Sequence, residues 1–180
     1  MARILIVDDE VDFNEIVQRY MESAGHETVC VFNGKDAVEK VKKESFDLIL
    51  MDLMMPEMDG FEAIRRIREI EKDSFIPIII LSALPESESI ERGLTESGAD
   101  EYIVKPCDQL ALMARVRSML RLKEKFDEAW KLNELMAELF DKVGAENLLE
   151  TIQKEAERIK AALERARQLR ENKCIKIKGL

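Results

Sequence analysis

Four short apolar runs in this chain stop at side chains able to do chemistry. Ile4–Val7 ends at Asp8 and Asp9, Leu48–Met51 at Asp52, Ile76–Leu81 at Ser82, and Tyr102–Val104 at Lys105. Three carboxylates brought to one spot repel each other, and the cluster becomes tolerable around a divalent cation. An all-oxygen donor set suits Mg²⁺, which would leave coordination positions for water and a phosphate oxygen. Lys105 would add a point positive charge and Ser82 a hydroxyl donor. Together they could hold the equatorial oxygens of a transferring phosphoryl group, with catalysis by positioning and charge stabilisation. A phosphatase with an acid nucleophile would want a second aspartate two residues on, and that position is Met54.

The elements that must position these groups are legible in the hydrophobic pattern. The runs, with a further one at Thr28–Val31, are nearly continuous rather than alternating, which implies strands buried on both faces, as in a parallel sheet. Between them, Phe13, Ile16, Val17, Tyr20 and Met21 recur at helical spacing, as do Phe61, Ile64, Ile67 and Ile70. Strand and helix alternate five times, predicting an α/β fold, a five-stranded parallel doubly wound sandwich. In such a sheet ligands gather at the carboxyl ends of the strands, where every candidate side chain lies. Gly25 ends the first helix, Asn33-Gly34 opens the second and Asp59-Gly60 the third, while Pro77 sits at a strand start.

After Pro106 the character changes. Asp108 reads as an N-cap, and no Gly or Pro follows until Gly144. A helix through that stretch would be roughly 54 Å long, more than a small sheet can cover. A second helix is expected from about residue 145 to 172, its stripe of Leu149, Ile152, Ala156, Ile159, Leu163 and Ala166 stepping like a heptad seam. Phe126, Trp130, Leu135, Met136, Leu139 and Phe140 read as packing seam rather than ligand pocket. The charge agrees with two parts: residues 1–122 hold 15 basic and 25 acidic side chains, and residues 123–180 hold 13 and 12. The expected division is therefore an α/β domain over 1–122 and an all-α helical extension, hairpin or coiled-coil-like, over 123–180.

Other chemistries find little support. Cys30, Cys107 and Cys174 make neither a metal spacing nor a disulfide frame. No apolar run approaches the roughly 20 residues needed to span a bilayer, so a soluble, cytoplasmic protein without a membrane span is expected. His26 is the single histidine, and it reads as a turn residue, so any phosphoryl group should come from elsewhere. The acidic first part argues against a nucleic-acid surface there.

The segments I-L-I-V-D-D-E, L-I-L-M-D-L-M-M-P-E-M-D-G, I-I-I-L-S-A and G-A-D-E-Y-I-V-K-P, in that order and spacing, resemble the receiver domain of two-component response regulators across residues 1–122. The resemblance implies a flavodoxin-like receiver sandwich with Asp52 as phosphoacceptor. It also implies Asp9 as a direct Mg²⁺ ligand, Asp8 acting through water, and the backbone carbonyl of Met54 as a further ligand. Ser82 matches the switch hydroxyl, Tyr102 the aromatic that turns inward, and Lys105 the phosphate-contacting lysine, with a cis Lys105-Pro106 bond. Cys107 stands where the family more usually has an aromatic, and the stretch from Ser82 to Lys105 is about one residue longer than typical.

The implied function is a signalling switch and not an enzyme beyond self-catalysed phosphorylation and dephosphorylation. The implied partner is a histidine kinase or phosphotransfer protein. The rearranging face would be the fourth helix, the fifth strand and the long helix after it, controlling homodimerisation through the helical extension or docking of a downstream protein. Two alternatives stand beside this: a fragment or degenerate form of a regulator whose enzymatic output followed a signalling helix, and a nucleic-acid-binding regulator using residues 158–178. That segment holds eight basic and two acidic side chains. It is read in preference as a helix whose late cations complement its dipole, so nucleic acid is not the expected partner.

Overall fold

Ile4, Leu5, Ile6 and Val7 are all buried, and a run buried on both faces belongs in the interior of a covered sheet. The computed structural model describes residues 1–71, 74–84, 96–143 and 149–161. In it β1 (Arg3–Val7), β2 (Glu27–Val31), β3 (Leu48–Met51), β4 (Ile78–Ser82) and β5 (Glu101–Val104) form one sheet in the order β2-β1-β3-β4-β5. Every pairing is parallel, with Ile4 opposite both Thr28 and Leu48.

Four described helices accompany the sheet: α1 (Val11–Ser23), α2 (Gly34–Lys43), α3 (Gly60–Ile70) and α4 (Gln109–Val143). Strand side chains alternate between two cores. Ile4, Ile6, Leu48, Leu50, Ile79 and Leu81 pack with Val17 and Met21 of α1 and with Leu112, Met113 and Val116 of α4. Leu5, Val7, Ile49, Met51, Ile78 and Ile80 pack with Ala37 and Val38 of α2 and Ile64 and Ile67 of α3. The expected doubly wound sandwich is what the chain forms. Each fully buried aliphatic side chain contributes about 1.5–3 kcal/mol.

The caps follow the sequence. Asn33 accepts from the Asp36 N–H and Asp59 from the Glu62 N–H, each at 2.8 Å. Asp108 accepts from Leu110 and Ala111 at 2.9 and 3.1 Å. Gly25, at φ 83°, closes α1 in the left-handed region that suits glycine.

The strand starts moved. β4 begins at Ile78 rather than Ile76 because Pro77 has no N–H to give, while the Ile76 N–H is taken by the Glu71 carboxylate. β2 and β5 each begin one residue earlier than expected, at Glu27 and Glu101.

The amino ends of the strands are stapled by two arginines. Arg3 pairs with Glu27 at 2.9 Å and Glu44 at 2.7 Å, lies over the Phe46 ring, and gives its N–H to Asp47. Arg68 donates to the carbonyls of Gly98 and Ile76 and to the carboxylates of Glu71 and Asp100.

α4 runs 35 residues without a break, about 52 Å of helix. The chain divides into two units, Met1–Ala129 and Trp130–Leu180, with the boundary inside this helix. In the second unit residues 149–161 are helical, and Trp130, Leu132, Leu135, Leu139, Leu149, Ile152 and Ile159 are exposed. The remainder of the expected second helix, most of the basic 158–178 stretch and Cys174 lie outside the described residues, as does the segment 85–95 between β4 and β5.

Candidate functional site

The strand order reverses between β1 and β3, so the loops leaving their carboxyl ends diverge and open a crevice. Two hydrogen bonds fix its walls: the Asp8 N–H donates to the Val31 carbonyl at 3.2 Å, and the Asp52 N–H to the Val7 carbonyl at 2.8 Å. The second bond draws the end of β3 against the end of β1. Asp8, Asp9 and Asp52 thereby present oxygens that all lie within 4.8 Å of one another, Asp9 exposed and the other two buried. They are the acidic group of cation-holding geometry found among the described residues.

Lys105 reaches into this group from the end of β5. Its ammonium lies 2.5 Å from Asp8 Oδ2 and 3.4 Å from Asp52 Oδ1. The Lys105-Pro106 bond is cis, as the resemblance implied.

The electrostatics are unbalanced. Burial, with Asp8 adding to it, pushes the Asp52 carboxyl up to about 6, against the pull of Lys105 and the Leu53 N–H. One ammonium among three carboxylates leaves the cluster short of positive charge. An all-oxygen set with that deficit fits a hard divalent cation.

Ser82 is fully buried at the end of β4, and its hydroxyl accepts from the Leu84 N–H at 3.3 Å. Tyr102 on β5 packs against the core on the α2–α3 side of the sheet and donates its hydroxyl to the Leu84 carbonyl at 2.7 Å. Burial raises the Tyr102 phenol, partly offset by a hydrogen bond with the Ser82 hydroxyl. Met54 lies in the loop leaving β3 with its side chain exposed.

Three positioning features escaped the sequence reading. Asn14 on α1 is buried and donates to the Asp8 carbonyl at 2.6 Å, while its Oδ1 has no hydrogen-bond partner. Phe13 lays its ring under the Lys105 ammonium, 4.1 Å from the centroid. Gly60 lets the β3–α3 loop fold back on the site, because a Cβ there would come within 2.1 Å of the Asp52 carbonyl oxygen. The same loop carries Glu57 at φ 65°, spanned by a bond from the Met58 N–H to the Pro56 carbonyl. The Asp-Gly pair marked a helix start in the sequence, and nothing local to it announced the contact with Asp52.

Comparison with known proteins decides the family. The response regulator receiver domain matches residues 4–117. The chain belongs to the response regulator receiver family. It is 35% identical over 136 residues to the DNA-binding dual master transcriptional regulator RpaA of Synechocystis, covering 76% of this chain and 56% of that protein. It is 40% identical over 121 residues to the response regulator ArlR of Staphylococcus saprophyticus, covering 67% and 53%. The chain thus spans about half the length of these curated relatives. Among solved structures, a Francisella response regulator receiver domain aligns with a TM-score of 0.62 at 31% identity, over 67% of this chain and 98% of that one. A receiver domain from a Pseudomonas aeruginosa sensor histidine kinase, with magnesium coordinated in its active site cleft, aligns at 0.61 and 29%, over 66% and 97%. The description of one relative as DNA-binding runs against the expectation that nucleic acid is not a partner. In this receiver no described helix is long and apolar enough to cross a membrane.

Proposed function

We propose that Asp52 accepts a phosphoryl group from a phosphohistidine on a partner histidine kinase or phosphotransfer protein. The observation that carries this reading is the convergence of Asp8, Asp9 and Asp52 with Lys105 between two of them. Asp52 supplies an oxygen to phosphorus, the P–N bond to the donor imidazole breaks, and the imidazole leaves carrying its electron pair. With its carboxyl near 6, Asp52 is mostly ionised at neutral pH and more basic than an ordinary aspartate. Mg²⁺ fits the carboxylates: Asp9 and Asp52 would hold it directly, Asp8 through water, and the Met54 carbonyl would be a further ligand. When bound it would offset the charge of the incoming phosphoryl oxygens. Lys105, already 3.4 Å from Asp52, contacts the phosphoryl group once it arrives.

Ser82 and Tyr102 form the switch. A new phosphoryl group draws the Ser82 hydroxyl, which now accepts from Leu84, and Tyr102 follows because its own hydroxyl is tied to the same residue. Residues 1–122 act as the receiver and 123–180 as a helical module for homodimerisation or docking of a downstream protein, in the cytoplasm. Support for the module comes from the exposed apolar residues of α4 and of residues 149–161.

Asp52→Ala should lose all labelling by acetyl phosphate with Mg²⁺, while the native chain labels once; persistent label on the variant refutes the site. Light scattering with and without beryllofluoride tests whether the same event changes the solution mass. A second reading, DNA contact through residues 158–178, is favoured by the relatives described as transcriptional regulators. It requires an affinity for DNA that falls steeply with salt, and a flat or absent response removes it.

A further inference from the structure

We propose that Arg68, Phe75 and Phe126 form a clasp, at the end of the sheet opposite Asp52, that carries the state of β5 to the long helix α4. The proposal rests on the reading of Asp52 as phosphoacceptor and adds the route by which its signal leaves the receiver.

Arg68 is the hub. Its guanidinium donates to Gly98 O at 2.8 Å and to Asp100 Oδ2 at 2.7 Å, on the segment that leads into β5. It also donates to Ile76 O at 2.8 Å, on the segment that leads into β4. The Asp100 oxygen that accepts from Arg68 also accepts the Ile78 N–H at 2.8 Å. One side chain on α3 therefore joins the entries of two neighbouring strands. Tyr102 lies two residues beyond Asp100, so a displacement of β5 pulls directly on this set.

From the hub the contacts run outward through rings. The Arg68 guanidinium lies 5.9 Å from the centroid of Phe75, and Phe75 lies 5.2 Å from Phe126, the planes tilted by 47°. Both separations fall in the range where cation–π and tilted aromatic pairs attract. Phe126 stands just under two helical turns beyond Leu120, the last α4 residue packed against the core. α4 is thus held along its first turns as far as Leu120 and then touched once more at the partly exposed Phe126. A cavity of about 230 Å³ is lined by Ser74 and Ile76, which flank Phe75 in the chain, and by Phe46, Glu71 and Lys123.

Trp130, the single tryptophan, lies one turn beyond Phe126 on the same helix and reports on it without a label. The experiment uses the full chain as native, Phe126→Ala, Phe126→Tyr and Asp52→Ala. Hydrogen exchange of α4 amides around residue 126 reads the clasp without phosphoryl transfer. Phe126→Ala should open this stretch about 3- to 10-fold more often, with Phe126→Tyr near native. Mg²⁺ with beryllofluoride should change Trp130 emission in the native chain and in Phe126→Tyr, and leave it unchanged in Phe126→Ala. Acetyl phosphate labelling should stay equal in those three. Exchange unaltered by Phe126→Ala, or a Trp130 response that survives it, overturns the clasp. A native chain that takes no label overturns the phosphoacceptor reading instead, which the exchange arm keeps separate.

Discussion

Replacing Asp52 by asparagine should stabilise the metal-free protein at neutral pH and do nothing for it in acid. Asp52 is 6% exposed, and its carboxyl is pushed up to about 6 from 3.8. Because the folded value lies above the unfolded one, the folded chain keeps a proton that the unfolded chain releases between about pH 4 and 6. Stability contributed by this group is therefore full below pH 4, falls as pH rises through that window, and is flat above it. The gap of about two units corresponds to about 3 kcal/mol. Asparagine removes the ionisation while keeping the shape, and the two-unit gap is already net of the attraction to Lys105, so a gain of up to about 3 kcal/mol is expected at pH 7.5. For a chain of this size that is a rise of several degrees in Tm. Urea unfolding in EDTA at pH 4 and 7.5 measures both ends, and Mg²⁺ should then narrow the difference by stabilising only the native chain. Equal stabilisation at the two pH values, or none at 7.5, would show that burial of a charge at Asp52 is not the source.

Three further perturbations test the geometry around it. Lys105→Ala removes the strongest pull opposing burial, so the Asp52 carboxyl should titrate higher than in the native chain, read by carboxyl NMR; a downward move would contradict the Lys105–Asp52 contact. Gly60→Ala should cost more than about 2 kcal/mol in urea unfolding, since its Cβ would collide with the Asp52 carbonyl and Leu53 Cα, both backbone atoms that cannot swing aside. Asp59→Ala loses the cap on α3 and should cost about 1 kcal/mol by the same assay, with Mg²⁺ binding retained.

The sequence carried the fold further than it carried the site's support. Strands buried on both faces, capped helices and polar residues at strand ends are local patterns, and they located Asp8, Asp9, Asp52, Ser82 and Lys105 together. Asn14 and Phe13 looked like ordinary members of an amphipathic helix, because their roles depend on a carbonyl at Asp8 and on an ammonium ninety-two positions beyond Phe13. Arg68 was similarly silent: its four partners come from three separate stretches of chain. The start of β4 was misplaced because Ile76 belongs to the apolar run by composition, while its N–H is already committed to Glu71. What stayed hidden was in each case a contact made only once the chain has folded, from five residues apart for Glu71 and Ile76 to ninety-two for Phe13 and Lys105, and no hydrophobic or capping pattern announces it.

The two arginine staples have a practical consequence for anyone reworking this scaffold. Arg3 and Arg68 satisfy their partners at the amino ends of the strands, while the carboxyl ends hold the buried and under-neutralised groups. Thermostabilising substitutions placed among the Arg3 partners should leave phosphoryl chemistry untouched. The same gain sought at the carboxyl ends would be drawn from the reactivity itself.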